Sequence, residues 1–588
     1  MTARYAVGID LGTTHSVVAY VDLEQESARL ELLQVPQLLA ASTLGERSSL
    51  PSFLYLATDD EVASGACDLP WPGARQHVTG DWARQRSAEA PTRSVVAAKS
   101  WLGHHRVDRH QPILPWQAPE GVPQISPVRA QQRYLEHLKA AWDAAHPEHR
   151  LEAQWVVLTV PASFDASARE LTREAALAAG LPADMVLLEE PQAAVYAWLA
   201  DRGDQWRQDL GESDQLLVVD VGGGTTDFSL IGVEAEGGEL SLRRRAVGDH
   251  LLVGGDNMDL TLAHLAQGEF AARGVEVDAW QSVALWHACR QAKEHLLQAD
   301  GPESHPVTVL GRGSRLVGGT VSVELERQRV RSTLIDGFLP ACRLDDAPQR
   351  QRGSGFMEVG LPFESDAAIT RHLAHFLRAH DGKPSRVLFN GGVLKSAALQ
   401  ERLLAVLGSW FDVAPQPLVS TPDLDHAVAR GAAFYAASKL RGGIRIRGGV
   451  GRSYYLGIES AGLAIPGAPR PLRALCVVPK GMEEGSEIDV PGGGVGLVVG
   501  EPASFRFFSS TVREDDQAGQ LLDRWRPDEL VETDALEAHL PPTTEGSSEV
   551  VPVTFRSRIT ELGVFELWCD AAESAQQWKM EFSVRSAG

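Results

Sequence analysis

Residues 5–20 read Tyr-Ala-Val-Gly-Ile-Asp-Leu-Gly-Thr-Thr-His-Ser-Val-Val-Ala-Tyr, and residues 215–231 read Gln-Leu-Leu-Val-Val-Asp-Val-Gly-Gly-Gly-Thr-Thr-Asp-Phe-Ser-Leu-Ile. Each is an apolar strand, an aspartate, a glycine–threonine turn and a second apolar strand, which is a hairpin pattern. The copies lie about 210 residues apart, and duplication at that distance predicts two homologous lobes facing each other. Each hairpin sets an aspartate, Asp10 or Asp220, at a strand end directly before the turn. Consecutive backbone N–H groups in such a turn form a concave anion site. Glycine removes the Cβ that would hold a phosphate away, and threonine hydroxyls add donors. Two carboxylates facing one spot beside a polyphosphate suit Mg²⁺, which keeps several waters and takes few protein ligands. One such turn alone reads equally as an ordinary hairpin; the aspartate repeated at the same offset points to a site.

Outward from the hairpins, strands alternate with helices as far as about residue 440, which predicts an α/β fold. Trp155–Pro161 is a buried-strand run before a helix from Ser167 to Ala179 that stops at Gly180. Ser126-Pro127 caps another helix, with Tyr134, Leu135, Leu138, Trp142 and Ala145 on one face. Residues 439–453 hold five glycines and five basic residues and read as a linker. Beyond them the period shortens: Trp578, Met580, Phe582 and Val584 alternate with Lys579, Glu581, Ser583 and Arg585. Val551–Arg556, Val564–Cys569 and Phe505–Ser509 are further strand candidates. They outline a β-domain interrupted by a polar, acidic stretch near 513–548.

Composition bounds the function. A length of 588 residues predicts roughly four core-sized units. Charged residues at 23% and hydrophobic residues at 44% exclude a largely disordered chain. The 78 acidic residues against 55 basic ones give a net charge of −23, which disfavours non-specific contact with nucleic acid or anionic membranes. Five scattered cysteines without a Cys-x-x-Cys pair argue against a disulfide framework and a zinc site. No leader-type apolar segment opens the sequence and no run reaches eighteen apolar residues, so a cytoplasmic protein is expected. There is no P-loop, no dinucleotide fingerprint and no Gly-x-Ser-x-Gly elbow. His104, His105 and His110 sit in a polar loop without helical spacing and do not read as a metal site.

Seven motifs follow one another in an order that carries a resemblance. They are Gly8–Thr14, Val157–Phe164, Glu189–Ala194, Asp220–Asp227, Gly254–Asp259, Phe389–Gly392 and Asp425–Ala433. On these the chain resembles the DnaK-type heat-shock chaperone family, within the actin and sugar-kinase ATPase superfamily. The resemblance implies a two-lobed, actin-like α/β ATPase domain of duplicated ribonuclease-H-like lobes over 1–441, dividing roughly into 1–212 and 213–441. A Gly/Arg-rich linker over 442–452 and a β-rich, substrate-binding-like domain over 453–588 would follow, without the family's helical lid. It implies ATP or ADP as ligand and slow, Mg²⁺-dependent hydrolysis. Asp10, Asp220 and Asp227 would hold Mg²⁺ through its waters. Gly12, Thr13, Thr14, Gly222, Gly223, Gly224 and Thr225 would cradle the phosphates. Lys99 would position the γ-phosphate and the attacking water, and Glu190 would orient water near the metal. Gly254, Gly255, Lys293, Gly391, Gly392 and Asp425 would complete the nucleotide site. Lys99 also reads as a solvated surface lysine. Ala193, Ala194 and Ala197 on one helix, and Ala429, Ala432 and Ala433 on another, suit either a lobe-rotation crossing or plain alanine packing.

The sequence departs from the family at the nucleoside end. In Arg290–Leu297 only Lys293 keeps the family's residue; Arg290 and Glu294 lie four apart and are expected to pair. Val393 and Lys395 replace the usual serine and arginine. Lower ATP affinity than in an orthodox member is therefore expected. The linker carries Ile444 and Ile446 between arginines rather than an acidic-ended leucine run. Two functions follow: an ATP-dependent chaperone that binds unfolded segments or a protein client, with a possible co-chaperone and nucleotide-exchange factor, or a nucleotide-sensing scaffold with little turnover. A small-molecule kinase would need a carboxylate base and a sugar pocket, and the sequence offers neither.

Overall fold

A computed structural model describes residues 3–583 apart from 26–28, 73–75, 105, 237–238, 249–250, 311–319, 350–363, 420–422, 442–445, 448–449, 451, 460–470, 484, 511, 514, 527–528, 533–535, 543–548, 561–563 and 573. It divides into two compact units, Met1–Arg445 and Ile446–Gly588. Most of the expected linker, and with it Ile444, lies outside the described residues.

The first unit carries two mixed sheets. One contains β1 (Tyr5–Leu11), β2 (His15–Asp22), β3 (Leu30–Leu32), β4 (Trp155–Val160) and β5 (Val186–Glu189), in the order β5-β4-β1-β2-β3. The other contains β6 (Gln215–Val221), β7 (Thr226–Glu236), β8 (Glu239–Val247), β9 (Arg386–Asn390) and β10 (Gln416–Pro417), in the order β10-β9-β6-β7-β8. The order is the same twice. In each sheet the repeated hairpin is antiparallel, and its first strand pairs in parallel with the later strand on its other side. Parallel pairing buries both faces of a strand, so β1, β4, β6 and β9 are near-continuous apolar runs.

Eight helices serve the argument: α1 (Ala98–Leu102), α2 (Pro127–Ala145), α3 (Ala166–Ala178), α4 (Glu190–Arg202), α5 (Gly255–Ala272), α6 (Ala279–Leu296), α7 (Ile369–Ala379) and α8 (Ala427–Arg441). The Ser126 hydroxyl caps α2, accepting the Arg129 N–H at 3.2 Å, and Pro127 takes the first position, where no N–H is needed. Tyr134, Leu135, Leu138 and Trp142 are buried as expected. Ala145 is exposed instead, because the His146 ring stacks on Trp142 at 4.2 Å and covers that end of the helix. Asp165 caps α3, accepting the Ala168 N–H at 2.7 Å, and Gly180 supplies the positive φ that ends it.

The described residues of the second unit form strands and turns. A five-stranded sheet runs Leu521–Leu522, Leu472–Val478, Ser453–Glu459, Phe507–Ser510, Val531–Glu532, and a four-stranded sheet runs Ser486–Val499, Glu549–Ile559, Val564–Ala571, Gln577–Ser583. Leu456, Val477 and Phe507 of one and Phe555, Phe565, Leu567, Trp578 and Met580 of the other share one core. Two expectations need correction. The strand expected over Phe505–Ser509 breaks at Arg506, whose carbonyl accepts the Gly457 N–H at 2.8 Å while its guanidinium grips Glu532. The acidic stretch 513–548 is also no mere interruption, since it supplies Leu521–Leu522, Val531–Glu532 and Leu536–His539. The Phe582 side chain and Val584 lie outside the described residues. All five cysteines are free. Among the described residues no helix is long and apolar enough to cross a membrane.

Candidate functional site

The sheets bring their hairpin turns together. A Cβ on Gly223 would lie 2.4 Å from Thr14 Cγ2, and one on Gly224 would lie 3.0 Å from Thr13 Cγ2. Each turn is braced from behind. The Ser52 N–H and hydroxyl donate to the carbonyls of Thr14 and Gly12, at 2.9 and 2.8 Å. Gly222 N–H closes its own turn on Thr225 O at 2.9 Å, and the first N–H groups of α5, from Gly255 and Asp256, donate to Gly222 O and Gly223 O at 3.0 and 2.7 Å. The N–H groups of Gly223, Gly224 and Thr225 make no bond to other described residues. They form the kind of open donor cluster that binds an oxyanion.

At the strand ends beneath the turns stand Asp10, Asp220 and Asp227, with Glu190 at the start of α4 and Lys99 in α1. Lys99 is buried, not a solvated surface lysine, and its ammonium donates to Glu190 Oε1. Each aspartate has one neutral partner. Thr159 Oγ1 donates to Asp10 at 3.1 Å, Asn390 Nδ2 to Asp220 at 2.8 Å, and Ser163 Oγ to Asp227. The three aspartates are pushed up to about 7, chiefly by burial, with the Glu190 carboxylate adding to it. Burial alone would lower Lys99, but Glu190 and Asp10 outweigh it and hold the ammonium above its ordinary value.

Four carboxyl groups against one ammonium leave an excess of negative charge that a divalent cation would neutralise. Among the described residues no three His, Cys, Asp or Glu side chains stand close enough to chelate a metal directly. Carboxylate oxygens are the donor chemistry that Mg²⁺ takes while keeping several of its waters.

Around this centre the remaining candidates are unevenly placed. Gly391, after β9, has φ +86°, and a Cβ there would lie 2.6 Å from Asp220 Oδ1. Gly254 sits against the Gly222 and Gly223 carbonyls. Lys293 points to the same region, but its ammonium stands 2.6 Å from Asp259 and donates to Gly255 O at 3.1 Å. Asp425, beside Gly392, is ion-paired with Lys395. Arg290 meets Glu294 at 3.4 Å as expected, and also faces Asp256 at 3.8 Å and Asp259 at 4.0 Å. His104 is buried and stacked on Trp101, and His110 bonds to Glu174 at 2.9 Å. His105 lies outside the described residues.

The helices α4 and α8 approach each other closely. A Cβ on Gly431 would fall 1.7 Å from Ala193 O, and one on Gly8 of β1 would fall 2.3 Å from Ala433 N. Ala193, Ala429, Ala432 and Ala433 are fully buried there. Sequence reasoning gives no role to Thr159, Ser163 or Asn390. Their signal is position: each lies near the end of, or within three residues after, a strand parallel to a hairpin strand.

The family model described as Hsp70 protein matches residues 73–336. Relatives include a "Chaperone protein HscA homolog" of Vibrio atlanticus, 31% identical over 320 residues, covering 52% of this chain and 44% of that protein. The "Chaperone protein HscA" of Photorhabdus laumondii is 32% identical over 312 residues, covering 50% and 43%. A Shewanella baltica "Chaperone protein HscA homolog" is 30% identical over 355 residues, covering 58% and 49%. The chain thus spans less than half the length of these relatives. An Hsp70 domain implies a two-lobed, actin-like ATPase fold, in keeping with the paired mixed sheets. The match takes in Lys99, Glu190, Asp220, the second glycine–threonine turn and Lys293, and over these residues the chain is similar to Hsp70 proteins.

Proposed function

We propose that the first unit binds Mg–ATP between its two glycine–threonine turns and hydrolyses it slowly, and that the second unit binds unfolded polypeptide or a protein client, as in an ATP-dependent chaperone. The observation that carries this reading is Lys99, buried and paired with Glu190 among two buried aspartates, Asp220 and Asp227, and the half-buried Asp10, beneath two facing turns. In phosphoryl transfer the protein contributes chiefly position and charge neutralisation. The turn N–H groups would hold the phosphate oxygens, and Lys99 would fix the terminal phosphate and the attacking water. Glu190 would orient that water, and Asp10, Asp220 and Asp227 would hold the metal's hydration shell. Bound Mg²⁺ would supply charge neutralisation on the phosphates. The two homologous sheets would act as lobes, with α4 and α8 crossing beneath the cleft. Gly254, Gly255, Lys293, Gly391, Gly392 and Asp425 would line the nucleotide beyond its phosphates. A cytoplasmic setting, a co-chaperone and an exchange factor belong to the same reading.

The test is ATP turnover with and without an unfolded peptide, against Lys99→Ala. Peptide-stimulated turnover that Lys99→Ala abolishes is expected; no turnover in the parent chain would overturn the proposal. A second reading, a nucleotide-sensing scaffold, is favoured by the nucleoside side, where Arg290, Lys293 and Lys395 are all engaged by carboxylates. Turnover indifferent to peptide would favour it. On either reading ATP affinity falls short of nanomolar, which calorimetry checks.

A further inference from the structure

Glu189 and Glu190 are consecutive where β5 passes into α4, and they serve different places. Glu190 reaches Lys99. Glu189 is fully buried on the other side, where Arg244 Nη1 donates to its Oε2 at 2.7 Å and Arg169 Nη2 to its Oε1 at 3.4 Å. Arg169, on α3, also donates to Ala162 O at 2.9 Å, next to the Ser163 that holds Asp227. Glu189 and Arg169 belong to the first sheet and its helix; Arg244 comes from β8 of the second sheet. One buried ion pair therefore spans the two sheets a single peptide bond away from Glu190.

We propose that Arg244 is a positioning residue for ATP hydrolysis: its ion pair with Glu189 sets Glu190 against Lys99 and makes hydrolysis depend on how the second sheet sits against the first. This deepens the function proposed above and rests on it. A buried carboxylate between guanidiniums has a narrow geometric optimum, since charge-assisted bonds are directional and an unpaired buried charge is costly. Holding Glu189 this way restricts the backbone at the strand–helix junction, and Glu190 inherits that restriction. When the second sheet shifts, the Arg244 bond goes with it, while Arg169 still satisfies Glu189.

The test uses the full chain with Arg244→Met, Arg244→Lys and Glu190→Gln, reading single-turnover ATP hydrolysis and Mg–ATP affinity separately. Arg244→Met is expected to slow hydrolysis at least tenfold while affinity stays within threefold. Arg244→Lys, whose ammonium still reaches a carboxylate without the fork, is expected to fall between. In a Glu190→Gln background Arg244→Met is expected to add less than a twofold change, because its effect runs through Glu190. Should Arg244→Met fail to fold, Glu189→Gln is read in the same way. The proposal is overturned if Arg244→Met hydrolyses within twofold of the parent, if rate and affinity fall together, or if its effect multiplies with Glu190→Gln. A parent chain that neither binds nor hydrolyses ATP overturns the proposed function and this inference with it; an active parent with an indifferent Arg244 overturns the inference alone.

Discussion

At the scale of single residues the site is governed by charge held out of water. Asp10, Asp220 and Asp227 stand at about 7 in the folded chain, against ordinary values near 4. A raised folded value means that the native state binds more protons than the unfolded one. Stability of the metal-free chain should therefore fall as pH rises from about 4 through about 7. Mg²⁺ should restore it only where the carboxylates are ionised: the melting temperature should rise with Mg–ATP at pH 8 and barely change at pH 5. The reverse order would dismiss the metal assignment. Lys99→Ala removes the one ammonium in this group and should slow ATP turnover by about 10²–10³-fold, or ~3–4 kcal/mol of barrier, read in single turnover. The two facing turns with Asp10 and Asp220 beside them were legible in sequence, because the glycine–threonine text repeats at a fixed offset from an aspartate. Thr159, Ser163 and Asn390 were not, because a neutral residue that orients a carboxylate from a separate strand leaves no local pattern. Arg290 was half legible: its spacing from Glu294 predicts a pair, but Asp256 and Asp259 reach it from another helix.

At the scale of elements, small residues decide where helices approach. The alanine-rich text of α4 and α8 predicts close packing, and Gly431 is the tightest point of it, with Ala193 O where a Cβ would be. Gly431→Ala cannot be absorbed by a rotamer change, since the obstacle is backbone. A loss of about 3 kcal/mol or more is expected, as for overpacking at its severe end, visible as a lower urea midpoint or as insoluble protein. Asp366 illustrates the opposite sign of titration. It stands before α7, accepts the Gln349 and Ala368 N–H groups at 2.7 and 3.0 Å, and takes both arms of the Arg371 guanidinium at 2.7 Å. Burial alone would raise it, but these bonds outweigh burial and hold it at about 2. Its contribution is thus present above about pH 4 and lost as pH falls through about 2. Asp366→Asn should cost about 2 kcal/mol at neutral pH, and the gap between variant and parent denaturation midpoints should close toward pH 2. In the second unit strand existence was legible from alternation, but the break at Arg506 was not. Its cause is the Gly457 N–H bond and the Glu532 ion pair, made by residues distant in sequence.

At the scale of the whole molecule, the duplication was the most legible feature. Two hairpins about 210 residues apart head two sheets that share the order of five strands. Less legible was the acidic stretch 513–548, because strands of two to four residues are shorter than any period that charge-rich text can display. The two units have separate hydrophobic cores, which predicts two calorimetric transitions. Saturating Mg–ATP at about 100 times its dissociation constant adds ~2.7 kcal/mol to the unit that binds it. For a unit of 445 residues, an unfolding entropy of about 2.1 cal/mol/K per residue converts this into a rise of about 3 °C. On the scaffold reading, with docking indifferent to nucleotide, only the first transition should move. On the chaperone reading, binding of ATP must bias the β-unit, because a ligand shifts a distant equilibrium only through a difference in free energy between its states. The second transition, assigned by its survival in a 446–588 fragment, should then move as well and should stay put in Lys99→Asp, where the phosphate site carries the wrong charge. A first transition that ignores Mg–ATP would remove nucleotide binding from both readings at once.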